Sequence, residues 1–78
     1  MVRVKIINVI PGMDIDATGR FVKIYRIEFS IEDKITDWID IKEEEFSEKK
    51  IRELIEKKVR ELQALGVIPP GDIEFVSS

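Results

Sequence analysis

The sequence lacks several residue types on which protein chemistry most often depends. Its 78 residues include no cysteine and no histidine, which excludes disulfides, thiolate metal sites and the commonest general base. No apolar run approaches the about 18 to 20 residues of a membrane span, and charges interrupt the amino-terminal segment too early for a signal peptide. We therefore expect a cytoplasmic protein that needs no cofactor and no membrane.

What remains is a small, highly charged chain. Charged residues make up 37% and hydrophobic residues 44% of the sequence, with a net charge of −3. This mixture predicts one folded domain over residues 1–78, too small to enclose a substrate pocket. The abundance of Glu and Lys, with Asn8 and Gln63 as the only side-chain amides, is typical of a thermophilic source.

Alternating hydrophobicity predicts three strands, over residues 2–10, 21–31 and 35–42. Pro11-Gly12 is expected to end the first strand and to begin a loop over residues 11–20. Matching the apolar faces sets the register of the strands. For the second hairpin we predict the pairs Tyr25–Ile41, Arg26–Asp40, Ile27–Ile39 and Ile31–Ile35; for the first we predict Val2–Phe29, Val4–Ile27, Ile6–Tyr25 and Ile10–Phe21.

The surest element is a helix over residues 47–65. Ser47 is a good N-cap and Gly66 a suitable left-handed C-cap. One stripe at helical spacing is apolar, and a short edge strand is expected over residues 72–76. The predicted fold is α+β: a three- or four-stranded, mainly antiparallel meander in the order 1-2-3 with one amphipathic helix packed on one face.

The outer face of the sheet, away from the helix, gives the first functional hypothesis. On the predicted register this face carries a cluster of aliphatic side chains at one end and a tryptophan toward the other, where polar residues are expected. We expect these residues to form an interface with a second copy of the chain, or with another protein: Ile7, Val9, Val22, Ile24 and Trp38. Alternatively, the loop over residues 11–20 folds back and covers the cluster with Met13 and Ile15.

Three weaker hypotheses concern ligands and catalysis. A basic outer face with an aromatic side chain could bind nucleic acid through Arg3, Lys5, Arg26 and Trp38, although the acidic net charge disfavours it. Asp14, Asp16 and Thr18 match the first half of a calcium loop, but Tyr25 stands where the closing Glu belongs, so we expect ordinary turn chemistry and no metal. Carboxylate pairs such as Asp37 with Asp40 do not suffice to predict an enzyme.

The segment GRFVKIYRIEFSIEDKITDWIDIKEEEFSEKKIRELIEKKVRELQALG, residues 19–66, resembles short proteins encoded among the head and tail genes of bacterial and archaeal viruses and proviruses. The shared features are a charged strand (Lys23 to Phe29), a tight turn, a strand end (Ile41 to Phe46) and a Glu/Lys/Arg-rich helix (Ser47 to Leu65). The resemblance implies a small virion or assembly component and carries over no functional residues. The function expected from the sequence is therefore a non-catalytic, homo-oligomeric assembly module.

Overall fold

A computed structural model of the chain describes residues 1–76. The last two residues of the predicted domain, 77 and 78, lie outside the described residues. The chain order is β1 (Val2–Ile15), β2 (Phe21–Ile31), β3 (Ile35–Lys42), a 3-10 turn (Glu43–Glu45), α1 (Glu48–Ala64) and β4 (Ile73–Phe75).

The strands form one four-stranded sheet in the order β3-β2-β1-β4. The three long strands are an antiparallel meander, and β4 pairs in parallel with the start of β1, next to Val2, Arg3 and Val4. With one helix packed against this sheet, the predicted α+β fold is confirmed.

The β2–β3 hairpin has the predicted register. Ile27 lies opposite Ile39 and Arg26 opposite Asp40. The three-residue connection begins with Glu32 and Asp33, both of which have positive φ angles, 55° and 54°. Left-handed backbone at both positions matches the right-handed twist of the strands that they join, although neither residue is a glycine.

The predicted register of the β1–β2 hairpin is wrong. Val4 lies opposite Ile31 instead of Ile27, and β1 continues through Pro11-Gly12 to Ile15. The earlier part of the strand keeps the predicted parity, because a slip of four residues leaves the same side chains on the same face. Proline is tolerated here because β1 pairs with β4 only at its start and is an edge strand from there on, so the missing N–H donor can face solvent.

A β-bulge between Ile6 and Asn8 changes the parity of the rest of β1. The bulge leaves Ile7 without a partner, so that Asn8 lies opposite Glu28 and Val9 opposite Ile27. A hydrogen bond of 3.2 Å from Asn8 Nδ2 to Glu28 Oε1 supports the new register on the outer face. Because Ile27 points toward the helix, Val9 lies on this inner face as well.

The core lies between α1 and the half of the sheet nearest the β2–β3 turn. Ser47 Oγ accepts a hydrogen bond of 3.1 Å from the Lys50 N–H, and Gly66 follows the helix with a φ of 76°; both predicted caps are confirmed. The buried residues are almost all β-branched aliphatics: Val2, Val4, Ile27, Phe29, Ile31, Ile41, Ile51, Ile55, Val59 and Ile68.

Beyond the helix, the β1–β2 hairpin continues as a projecting ribbon. We call residues 9–25 the arm. The molecule measures 40 × 27 × 20 Å along its principal axes. Its radius of gyration is 13.5 Å, whereas that of a compact chain of this length is about 11.5 Å. The arm accounts for this elongated shape.

Candidate functional site

The inner face of the arm, which continues the face that the helix covers elsewhere, carries exposed apolar side chains, with Lys23, opposite Met13, as a charged residue among them. Val9, Met13, Ile15 and Phe21 are 47%, 61%, 58% and 72% exposed. Their common face follows from the pairing, because Ile15 lies opposite Phe21 and Val9 opposite the buried Ile27. Contiguous exposed side chains of this size mark interaction surfaces in soluble proteins.

A groove of about 580 Å³ lies at the base of the arm on the same inner face. Its apolar lining includes Ile6, Phe46, Ile51 and Phe75, contributed by β1, the segment before the helix, the first turn of α1 and β4. Arg52 lies at the groove, with its guanidinium 5.2 Å from the Phe75 ring centre. The bare face of the arm therefore leads into an apolar depression rather than into a polar surface.

An ion pair and an aromatic contact hold the arm base against the segment that precedes the helix. Lys23 Nζ lies 3.2 Å from Glu43 Oε2, and the Tyr25 hydroxyl donates a hydrogen bond of 3.1 Å to the same carboxylate oxygen. The hydrogen bond from Lys23 is the larger cause, and that from Tyr25 the second, of a lowered pKa of Glu43. The rings of Tyr25 and Phe46 are 4.7 Å apart, which covers the Tyr25 side of the sheet and leaves the Val9 side open.

At the tip of the arm, the Asp16 carboxylate organises the turn. Oδ1 accepts hydrogen bonds from the Thr18 hydroxyl (2.6 Å), the Thr18 N–H (2.9 Å) and the Arg20 N–H (3.0 Å). The Thr18 hydroxyl, followed by the Arg20 N–H, lowers the pKa of Asp16. Asp14 is turned to its own neighbour, since its Oδ1 accepts from the Ile15 N–H at 2.8 Å. The oxygens of the candidate calcium loop thus serve the turn itself, and residues 1–76 contain no cluster of acidic residues arranged to hold a metal ion.

The predicted outer-face cluster is divided between the two faces of the sheet. Val22 and Ile24 lie on the outer face and are half-buried, whereas Val9 lies on the inner face and Ile7 occupies the bulge. The prediction that Val9 shares a face with Ile24 is therefore wrong, because the bulge reverses the parity on which it depended. Trp38 is on the outer face, as predicted, opposite Glu28.

The alternative in which a loop covers the cluster is also wrong. Met13 and Ile15 belong to β1, paired with Lys23 and Phe21, and are among the more exposed apolar side chains of the described residues. Instead of covering a patch, they extend the apolar surface onto the arm.

The predicted nucleic-acid residues share the outer face but are accompanied by acids. Arg26 Nε lies 3.1 Å from Asp40 Oδ1, and its guanidinium is 5.1 Å from the Trp38 ring centre. The Arg3 N–H donates a hydrogen bond of 2.8 Å to Glu32 Oε1. Lys5 lies opposite Ser30. The face is basic only locally.

Sequence reasoning missed the arm, and with it Met13, Ile15 and Phe21. A signal was present: a turn residue set, Asp16 to Gly19, lies between Ile15 and Phe21, each of which could begin or end a strand. Treating Pro11-Gly12 as a strand end concealed it. Among the groove residues, Ile6 was assigned to the correct face, but nothing in the sequence indicated a groove beside it.

Comparison with known proteins identifies no relative: no family model, no curated protein and no solved structure matches this chain significantly. In the described part of the chain, no helix is long and apolar enough to cross a membrane.

Proposed function

We propose that this protein is a non-catalytic assembly module that works as a homo-oligomer, with the arm as its main contact surface. The observation that carries the proposal is the exposure of Val9, Met13, Ile15 and Phe21 on one face. In a 9.1 kDa chain a bare apolar ribbon adds nothing to the core. Covering it with a second copy would therefore remove a solvation cost and stabilise the hairpin.

The size of the exposed surface supports the proposal. A compact monomer of this mass exposes about 4,900 Å², whereas this chain exposes 5612 Å². The excess, about 700 Å², is close to the area that each partner buries in a standard interface, about 800 Å². Burying the four side chains in both copies would contribute about 7 to 14 kcal/mol before the cost of association.

The setting of this function comes from the sequence. The resemblance of residues 19–66 to short proteins of viral head and tail gene modules supports a role as a structural or assembly component. We accordingly propose action in the cytoplasm, or in a virion if the protein is of viral origin. The Glu/Lys-rich composition supports a thermophilic source, in which a covered arm would also protect the hairpin from thermal fraying.

The test of the proposal is the mass in solution, measured by light scattering behind a sizing column in low and high salt. We expect about 18 kDa, twice the 9.1 kDa of one chain, or a higher multiple. Apolar contacts are not screened by salt, so the mass should be the same in both conditions. A mass of 9.1 kDa at every concentration would contradict self-association and turn the search toward a different partner protein.

The second candidate function is nucleic-acid binding by the outer face, which the stacking of Arg26 on Trp38 favours. Its test is retention of the chain on single-stranded DNA, compared with an Arg3→Ala/Arg26→Ala variant. Binding through this face should fall steeply as salt is added and should be lost in the variant. Equal retention of the two proteins would eliminate this candidate.

A further inference from the structure

We infer that two copies pack around a twofold axis with their arms antiparallel, so that the tip of each arm fills the groove at the base of the other. This inference rests on the proposed function and specifies its partner, a second copy of the chain, and its contacts. The tip is represented by Ile15 and Phe21, and the groove by Ile6, Ile51 and Phe75.

The tip and the groove are different surfaces on one continuous face. Ile6 lies opposite Phe29 and Val9 opposite Ile27, so both share the inner face with Ile15 and Phe21 at the tip. A twofold axis across the middle of this face places the tip of each copy on the groove of the other. Both tips and both grooves are then covered. A tip-to-tip contact would leave both grooves bare.

The free edge of β1 is poorly suited to pairing with a strand of another copy. Beyond its pairing with β4, β1 has an unpaired edge that could add a strand from another chain. That edge is interrupted by the bulge at Ile7 and by Pro11, which has no N–H to donate. Both features are devices that oppose edge-to-edge pairing. Packing by faces therefore remains as the way in which a second copy covers the arm.

The tip of the arm and the groove match each other in chemistry. Phe21, at 72%, is the most exposed of the large apolar side chains on the inner face of the arm. The groove of about 580 Å³ is bounded by the rings of Phe46 and Phe75. An aromatic side chain inserted between aliphatic and aromatic walls is the usual form of an interface anchor. The surface that the whole chain exposes in excess of a compact monomer, about 700 Å², is also near the about 800 Å² that each partner buries in a standard interface.

The test exploits the absence of cysteine from the sequence, which allows unambiguous cross-linking. Two single variants are prepared, Phe21→Cys at the tip and Glu48→Cys at the groove, and both replaced side chains are largely exposed. Because each variant chain carries one cysteine, any covalent product formed by a short bismaleimide joins two copies.

We expect a covalent dimer when the two variants are mixed and little product when Phe21→Cys is treated alone. The inference is overturned if the mixed variants have the mass of a dimer and give no covalent product, or if Phe21→Cys links efficiently to itself. If Phe21→Cys is monomeric where the wild type is a dimer, that loss supports the place of Phe21 in the interface. The proposed function fails separately, and the inference with it, if the wild-type chain is a monomer by light scattering.

A matched pair of variants assigns the contact to one face of the arm. Val9 and Ile10 are neighbours with similar exposure, 47% and 41%, on opposite faces. Val9→Ser should weaken the dimer about tenfold to a hundredfold, because two copies of the side chain leave the interface. Ile10→Ser should leave the dissociation constant within about threefold. The reverse order would place the interface on the outer face and overturn the inference.

Discussion

Replacing Ile15 by serine is expected to weaken self-association without disturbing the fold. Ile15 is 58% exposed near the tip of the arm, so the substitution removes no core contact. Covering its exposed part should contribute about 1 to 2 kcal/mol in each copy. Because a symmetric dimer contains it twice, Ile15→Ser should raise the dissociation constant about 30- to 700-fold.

The assay is sedimentation equilibrium over a dilution series, with far-ultraviolet circular dichroism to establish that the variant is folded. Leu65→Ser is the control: Leu65 is an isomer of isoleucine, is 76% exposed, and lies at the far end of the helix. The control should dissociate at the wild-type concentration. The reasoning is refuted if Ile15→Ser dissociates like the wild type, or if both variants are weakened equally.

Three further predictions concern the turn, the arm base and the core. Asp16→Ala removes the acceptor of the Thr18 N–H, so that amide should exchange with solvent faster than in the wild type. The pKa of Glu43 is lowered, first by the Lys23 hydrogen bond. The contribution of the Glu43 carboxylate to stability is therefore present above the ordinary value of 4.5 and is lost as the pH falls through the lowered pKa of the folded state. A titration of the Glu43 carboxyl carbon by NMR should give a midpoint below 4.5. Ile55 is fully buried, so Ile55→Ala should cost about 2 to 5 kcal/mol and lower the thermal midpoint by about 10 °C or more.

Local patterns were enough to predict most of the fold. The alternation of β2 and β3, the Ser47 cap and the left-handed Gly66 depend on residues close in sequence, and each was confirmed. The β2–β3 register was predictable because only one short loop length matches both the apolar faces and the Arg26–Asp40 pair.

The candidate site was not predictable in the same way. The register of β1 depends on a bulge at Ile7, which no side chain announces, and one inserted residue reverses every later face assignment. A slip of four residues is also invisible to a parity argument. The arm is long only because the chain passes through Pro11-Gly12 at an edge, a choice made by tertiary context and not by turn propensity.

The most direct test of the account is an isotope-filtered NOE experiment on a mixture of labelled and unlabelled chains, which detects only contacts between copies. We predict intermolecular NOEs from the Phe21 ring to Ile51 and Phe75, together with contacts along the inner face of the arm at Val9. In a sample with the mass of a dimer, intermolecular NOEs confined to outer-face residues such as Ile24 would contradict the account.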